Sequence, residues 1–259
     1  MAVITSLTDL VAIPPDTNVG ITSAKQSTML GLLGNPRSDY TSECQSIENS
    51  SLKKLVAFRD LGAFKVRGLL PAVDSLEKVV SDIRVEQPHI FNALGTMGML
   101  CARLVRGSQH AISNHSWGTA IDVTLDGVLD RRGDGKVQAG LTVIAPIFNR
   151  HGWFWGAAFA TEDAMHFEVG DALIRKWHAE GRFGATAPAA APDDLLTLGD
   201  RGPDVKQLQS RLNQLGAMVN PDGDFGPATR AAVIAFQASK GLTANGVVGP
   251  QTRSALARG

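Results

Sequence analysis

The chain has 259 residues, of which 44% are hydrophobic, and this is enough for one sizeable core and a small second domain. Its 25 basic and 25 acidic residues give a formal net charge of zero. Such a balance offers no electrostatic attraction to nucleic acid or to an anionic membrane surface, so neither is expected as a partner. The function must therefore be sought in local motifs.

The first 50 residues are rich in Ser, Thr and Asn and have little hydrophobic periodicity. No Lys or Arg precedes the first apolar residues, and Asp9 interrupts them early, so the start predicts neither a signal peptide nor a membrane span. We expect residues 1–50 to wrap the first domain as a poorly defined segment. We also expect a cytoplasmic chain that does not insert into a membrane, unless another route exports it.

The chain contains two cysteines, Cys44 and Cys101. Two are too few for a disulfide framework, and their spacing is not that of a CxxC pair. Both are therefore expected to be free thiols, with Cys101 buried.

Hydrophobic spacing predicts the elements of a first domain over residues 1–182. A helix is expected from Pro71 to Val85, before the helix-terminating Pro88. Alternation predicts strands over Met99–Val105, Thr119–Leu125 and Met165–Val169. Two further helices, Gly140–Gly152 and Asp171–Gly181, each close on a glycine. Helices interleaved with antiparallel strands predict an α+β fold, with a small antiparallel sheet flanked by helices.

Residues 183–195 are rich in Ala and Pro and predict an extended linker. After the linker, DGDFGPATRAAV and NGVVGPQTRSAL share a G-P-x-T-R-x-A core. Each Gly-Pro predicts the start of a helix, because proline at the first helical position loses no needed N–H. Together with the apolar stripe of VKQLQSRLNQLG, the repeat predicts a three-helix domain over residues 196–259.

A candidate metal site lies in two separated stretches, SNHSWGTAID and DAMHFE. Strand alternation puts Asp122 on the polar face of one strand and His166 on the polar face of another, and His115 lies just before the first strand. Two histidines and one aspartate suit zinc with an open fourth position, where bound water has its pKa lowered from 15.7 to roughly 7. Each side chain also has an ordinary interpretation as a core, surface or turn-capping residue.

A general base is needed beside such a site, and Asp163 precedes His166 by three residues. In an extended strand that separation is about 10 Å, so this role requires a bend between Thr161 and Ala164. Nearby, Gly118 permits close backbone approach, and Ser113 can hold a histidine or its loop by hydrogen bonding.

The two stretches resemble the SxHxxGxAxD and (D/E)xxH signatures of the VanY-like zinc D,D-carboxypeptidases and phage L-alanyl-D-glutamate peptidases. The resemblance covers residues 50–180. It implies one zinc ion per chain, bound by His115, Asp122 and His166, and it implies Asp163 as the general base.

The same family offers further candidates. Its arginine-bearing strand resembles CARLVRGS, where Arg103 is favoured over Arg106 as the group that holds a substrate carbonyl or oxyanion. Its aromatic stretch resembles HGWFWGAAF, in which Trp155 is a candidate for lining the substrate cleft or for packing in the core. Ser113 is the other candidate substrate-binding residue.

The last 60 residues resemble the three-helix peptidoglycan-binding domain. The two resemblances together imply a monomeric endolysin of phage type that stays in the cytoplasm until its release to the cell wall. It would hydrolyse a bond of the peptidoglycan stem peptide, with L-Ala–D-Glu as the first choice. The alternatives are a D-alanyl-D-alanine carboxypeptidase and a non-catalytic wall-binding protein.

Two other motifs indicate different functions, a serine peptidase and a calcium loop, but neither is complete. SLKK at Ser51–Lys54 matches the SxxK of serine D,D-peptidases, but no KTG-like triad follows it. LDRRGDGK at Leu129–Lys136 has the acidic and glycine content of a calcium loop but lacks the closing glutamate of the twelve-residue pattern, so a turn is expected.

Overall fold

The structure is a computed structural model that describes residues 6–184 and 195–258. The predicted α+β fold is confirmed. The helices are α1 Gln26–Leu33, α2 Ser50–Lys54, α3 Leu70–Glu86, α4 Pro88–Ala93, α5 Ala139–Arg150, α6 Asp171–Ala179, α7 Pro203–Gln214, α8 Pro227–Ser239 and α9 Pro250–Arg258. The strands are β1 Leu10–Ala12, β2 Val56–Asp60, β3 Lys65–Leu69, β4 Leu94–Gly98, β5 Ala120–Leu125, β6 Lys136–Gln138, β7 Trp153–Trp155 and β8 His166–Val169.

The chain divides into two compact units. The first comprises Met1–Ala24, Ser50–Ala102 and Asn114–Gly184, and the second comprises Lys25–Asn49, Arg103–Ser113 and Ala185–Gly259. The domain boundaries drawn from the sequence stay a prediction, and most of the predicted linker, residues 183–195, lies outside the described residues.

The main sheet of the first unit has four strands in the order β4-β5-β8-β7, and every neighbouring pair is antiparallel. In the pairing of β5 with β8, Asp122 lies opposite His166 and Ala120 lies opposite Glu168. Because side chains alternate along a strand, Asp122, His166 and Glu168 share one face of the sheet. Two smaller antiparallel pairs, β1 with β6 and β2 with β3, complete the strands of this unit.

The opposite face of the sheet builds the core. Phe167 of β8 stacks on Phe148 of α5 with 3.9 Å between ring centroids, and both side chains are fully buried. The predicted apolar stripe of α3 is also buried. This core packs against the apolar face of β5 and β8. The polar side chains of both strands are therefore held on the opposite face.

The strand predicted over Met99–Val105 is wrong. The strand of this region is β4, which ends at Gly98, where a φ of 118° turns the chain. The backbone beyond it serves the His115 loop instead of a sheet partner, since the Met99 carbonyl bonds the His115 ring and the Cys101 N–H donates to the His115 carbonyl. A hydrophobic alternation alone does not show where those backbone groups find their partners.

The expectation of free thiols is also wrong, because Cys44 and Cys101 are both disulfide-bonded. The spacing of two cysteines in a sequence does not show whether folding brings them together. Disulfides persist in oxidising compartments and are rare in the cytosol.

The N-terminal segment is part of the first unit. The side chain of Asn18 accepts a hydrogen bond from the Trp155 N–H and donates one to the Trp155 carbonyl, both at 2.8 Å. Ser23 donates a hydrogen bond to Glu168. Residues 6–24 therefore support β7 and β8, a contribution that their composition did not indicate.

The second unit contains α7, α8 and α9. As the Gly-Pro pattern predicted, α8 and α9 begin at Pro227 and Pro250, whereas α7 begins at Pro203, two residues before the predicted stretch VKQLQSRLNQLG. Their apolar faces, which include Val205 and Val233, form one core with Phe225 from the turn before α8.

A buried glutamine stabilises each half of the internal repeat. Gln209 accepts the Gly223 N–H and donates to Thr229, and Gln237 accepts the Gly246 N–H and donates to Thr252. The repeated sequence therefore encodes a repeated set of hydrogen bonds, in which one glutamine joins a glycine turn to the start of the next helix.

The longest helix, α3, has 17 residues. Within residues 6–184 and 195–258, no helix has both the length and the apolar character that crossing a membrane requires.

Candidate metal centre

Three side chains of the first unit converge on one point. The Nε2 atom of His115, the Nδ1 atom of His166 and the Oδ1 atom of Asp122 lie 3.0 to 3.2 Å from one another. Donor atoms bound at about 2.1 Å to one tetrahedral ion are roughly 3.4 Å apart, so the spacing is close to that of a zinc ligand set. Among the described residues, these three form the one group of His, Cys, Asp or Glu side chains close enough together to hold a metal ion.

His115 is positioned by backbone contacts on both sides of its turn. It lies in a short 3-10 turn, Asn114–Trp117, and its ring Nδ1 is 3.0 Å from the Met99 carbonyl oxygen. Gly118 follows with a φ of 66°, and its carbonyl accepts the Leu69 N–H. The turn is thereby fixed on both sides, and its histidine points toward the end of β5.

His166 is positioned by its own strand. Glu168, two residues along the same face of β8, places Oε2 2.9 Å from the Nε2 atom of His166. Glu168 is itself buried and accepts hydrogen bonds from the side chains of Ser23 and Asn114. A carboxylate that fixes the ring of a histidine ligand in this way is a common outer partner of protein metal sites.

The hydrogen bonds of the two rings fit a metal. The Met99 carbonyl can accept a hydrogen bond from His115 only if the ring carries its proton on Nδ1. The Nε2 atom then has a free lone pair. The Glu168 carboxylate likewise places the proton of His166 on Nε2, so the Nδ1 atom has a free lone pair. Two nitrogen lone pairs and the Asp122 carboxylate then face one another within 3.2 Å, and a cation between them removes their mutual repulsion.

Without a metal ion, protons on the ring nitrogens that face Asp122 balance this repulsion instead. Burial raises the pKa of Asp122, but hydrogen bonds from His115 and His166 outweigh it and hold that pKa far below its usual range. Burial lowers the pKa of His166, but its bonds to Asp122 and Glu168 prevail and raise it to about 10. The pocket therefore favours positive charge strongly, and a metal ion would displace a proton when it binds.

Asp163 lies in a turn directly before β8. The His166 N–H donates to the Asp163 carbonyl at 3.0 Å, which closes this turn. The bend that a base at this position requires is present, with its turn at Ala164 and Met165. The Asp163 carboxylate is partly exposed and lies 3.4 Å from the Arg132 guanidinium.

Trp155 is buried, with 1% of its surface exposed. Its indole Nε1 donates to the Ala164 carbonyl at 2.6 Å, and its ring stacks on Phe167. These contacts correspond to the core-packing alternative, in which Trp155 supports the turn that carries Asp163.

The other candidates from the sequence belong to the second unit. Arg103 is partly buried and its guanidinium donates to the Leu104 carbonyl, whereas Arg106 is exposed. Ser113 is buried, and its N–H donates to the Arg103 carbonyl at 3.0 Å. The roles of Arg103 and Ser113 stay predictions.

Sequence reasoning missed three residues beside the cluster, namely Glu168, Ser23 and Arg132. Glu168 had a signal, because it shares the polar face of β8 with His166. Ser23 and Arg132 had none, since both come from loops that only the folded chain brings close.

Two segments match known families. Residues 106–169 match the family described as D-alanyl-D-alanine carboxypeptidase, and residues 201–256 match the family described as "Putative peptidoglycan binding domain".

Individual proteins are also similar to parts of the chain. A zinc D-Ala-D-Ala carboxypeptidase of Streptomyces albus G is 48% identical over 100 residues, which are 38% of this chain and 37% of the relative. An uncharacterised protein of Kitasatospora aureofaciens is 40% identical over 80 residues, 28% of this chain and 68% of the relative. The crystal structure of the Burkholderia AP3 phage endolysin is 52% identical over 25% of each chain, with a TM-score of 0.25.

The matched part thus spans 37% of the length of the Streptomyces carboxypeptidase and 25% of that of the endolysin. Residues 106–169 are thus similar to the D-alanyl-D-alanine carboxypeptidase family, and residues 201–256 are similar to the peptidoglycan-binding domain family.

Proposed function

We propose that the protein is a zinc-dependent peptidase that hydrolyses a bond of the peptidoglycan stem peptide. The observation that carries this proposal is the convergence of His115, Asp122 and His166 within 3.2 Å, with both imidazoles oriented by acceptors on their far nitrogens. Three protein ligands suit a zinc site that keeps a fourth position for water or substrate.

In this proposal His115, Asp122 and His166 hold one zinc ion per chain. When bound, zinc supplies Lewis acidity toward a peptide carbonyl and lowers the pKa of water to about 7. Glu168 keeps His166 in the orientation that the site needs, and the Met99 carbonyl does the same for His115.

Asp163 is the general base. Its carboxylate takes the proton of the attacking water and delivers it to the leaving amine of the cleaved peptide bond. Arg132 orients this carboxylate through their ion pair at 3.4 Å. Arg103 is our candidate for holding the substrate carbonyl oxygen as charge develops on it.

The L-Ala–D-Glu bond is the first candidate for cleavage. A wall-binding domain favours this reaction, since residues 201–256 would tether the enzyme to an insoluble polymer and raise its local concentration at internal bonds. The protein would act as a monomer at the cell wall, where its disulfide is stable. If the chain is held in the cytoplasm before release, the disulfide would close only afterwards.

A D-alanyl-D-alanine carboxypeptidase is the second candidate. The relative from Streptomyces albus G, 48% identical over 100 residues, carries that name. The two reactions share all the roles assigned above and differ in the bond that the substrate cleft presents.

Mass spectrometry of purified cell wall after digestion distinguishes the candidates. A new amine on D-Glu is expected for the endopeptidase, and release of D-Ala alone would favour the carboxypeptidase. The Asp163→Asn variant should release neither product while it retains zinc, as measured by atomic emission. Undiminished activity in this variant would overturn the assigned base, and an inactive wild-type protein that binds both zinc and wall would favour a non-catalytic wall-binding protein.

A further inference from the structure

A second group of oxygen atoms lies in the loop between β5 and β6. Asp130 is buried there, and its Oδ2 accepts the Gln138 N–H at 2.6 Å. Its Oδ1 is also buried and has no hydrogen-bond partner among the described residues, and the same holds for Oε1 of the buried Gln138. A buried oxygen without a partner is costly, so two in one loop indicate that something absent from the protein itself should bind them.

The surroundings of these oxygens are acidic. Glu162 is 7% exposed, and its carboxylate accepts the Asp134 N–H at 2.8 Å. Burial, together with the charges of Asp134, Glu162 and Asp163, raises the pKa of Asp130 to about 6. Within the part of the chain that the structure describes, no Lys or Arg forms an ion pair with Asp130, Asp134 or Glu162. Arg131 and Lys136 of the same loop are exposed, so the charges that act on the buried Asp130 carboxylate are those of Asp134, Glu162 and Asp163.

The sequence spacing of the loop matches that of a calcium loop in part. Counted from Asp130, Asp134 is at position five, Gly135 at position six and Gln138 at position nine. Calcium loops use oxygen ligands at positions one, five and nine and place glycine at position six, where Gly135 has a φ of 73°. Position three is Arg132 and position twelve is Leu141, so neither supplies the usual oxygen ligand, but the structure brings Glu162 to the loop from another segment.

We propose that Asp130, Asp134, Gln138 and Glu162 form a calcium site. Carboxylate and amide oxygens without nitrogen or sulfur suit a hard cation, and calcium accepts the irregular arrangement that a loop and a distant segment provide. The carboxylates do not yet meet at one point as the candidate zinc ligands do, so ion binding would draw Asp134 and Glu162 toward Asp130.

The site would also couple to the peptidase centre, a step that rests on the proposed function. Arg132 lies within the loop and pairs with Asp163 at 3.4 Å, and Glu162 adjoins Asp163 in the chain. The Gly133 N–H also donates to the Glu162 carbonyl at 3.1 Å. Calcium would therefore fix both segments that position the proposed base.

Calorimetric titration of the zinc-loaded full chain with calcium chloride tests the site directly. Zinc loading fills the histidine site beforehand, so the heat reports the second site alone. We expect a single calcium ion per chain and a higher Tm when calcium is present, because binding to the folded state stabilises it. Magnesium chloride should bind at least about tenfold more weakly, since magnesium demands a regular octahedron.

Two variants test the ligands without removing structural hydrogen bonds. Asp134→Asn and Glu162→Gln each keep an oxygen for the backbone amide that they bind, and each should weaken calcium binding by about tenfold or more. Asp126→Asn is the matched control, because Asp126 is exposed, has a φ of 50° that asparagine tolerates, and lies outside the cluster. It should bind calcium as the wild type does.

Absence of calcium heat in the wild type, or equal calcium affinity in all three variants, would overturn the site. Calcium binding that leaves wall hydrolysis unchanged would overturn the coupling to Asp163 but not the site. Because calorimetry needs no substrate, a failure of the proposed peptidase activity leaves the calcium result interpretable.

Discussion

The Oε2 atom of Glu168 lies 2.9 Å from the Nε2 atom of His166, and the two residues are neighbours on one face of β8. His166 faces Asp122 across the sheet with its other nitrogen. His166, which faces the candidate metal site, and Glu168, which orients its ring, are thus two residues apart on the same strand.

Glu168→Ala should weaken zinc binding by about 10- to 100-fold, because the His166 ring loses the acceptor that fixes its tautomer and orientation. Competition with a chromogenic zinc chelator measures the change. Glu168→Gln, which keeps an oxygen acceptor, should recover part of the loss. Glu180→Ala, at an exposed position after α6, is the control and should leave zinc affinity unchanged.

Gly118→Ala should destabilise the protein more than Gly127→Ala. Both glycines have positive φ, 66° and 75°, so alanine costs about 1–3 kcal/mol at either position. A Cβ at Gly118 would also lie 2.8 Å from the Gly68 Cα, whereas one at Gly127 meets nothing within 4 Å. The additional cost at Gly118 should be about 1–3 kcal/mol, as for overpacking elsewhere. Urea unfolding followed by tryptophan fluorescence suits this pair, and equal stability losses would contradict the predicted contact.

Arg103→Gln should lower kcat/KM for wall hydrolysis by about 10²- to 10³-fold if Arg103 holds the developing oxyanion. Zinc content should not change. Arg106→Gln is the matched variant, since Arg106 is exposed and three residues away. A loss in Arg106→Gln with normal activity in Arg103→Gln would transfer the role to Arg106, and normal activity in both would remove it from this segment.

Gln237→Leu should destabilise the three-helix domain, because the Gly246 N–H loses its buried acceptor and the Val247 carbonyl and the Thr252 hydroxyl each lose a buried donor. Each buried group left without a partner costs about 1–3 kcal/mol. The four tryptophans, Trp117, Trp153, Trp155 and Trp177, all lie in the first unit, so calorimetric unfolding of the full chain is the suitable measurement. Gln207→Leu, at an exposed position on α7, is the control and should leave the transition unchanged.

Strand alternation in TAIDVTL and MHFEV was enough to place Asp122 and His166 on polar faces, and the structure pairs them across β5 and β8. Hydrophobic stripes likewise located α3, α5 and α6 within a few residues. These features depend on local periodicity, which a sequence displays directly.

The failures have a common cause. Met99–Val105 alternates like a strand, but the Met99 carbonyl and the Cys101 N–H bond His115, and both cysteines are disulfide-bonded. The Ser23 hydroxyl that donates to Glu168 and the Arg132 side chain that pairs with Asp163 also come from distant loops. Such contacts depend on the folded arrangement and leave no periodic trace in the sequence.

The pairing of Asp122 with His166 has a consequence for how the sheet is assembled. Slippage of β5 against β8 by a single position would turn one of these side chains to the apolar side and bury a charge there. A metal ion bound by both residues would disfavour every misaligned pairing, so metal binding would also select the correct alignment of the two central strands during folding.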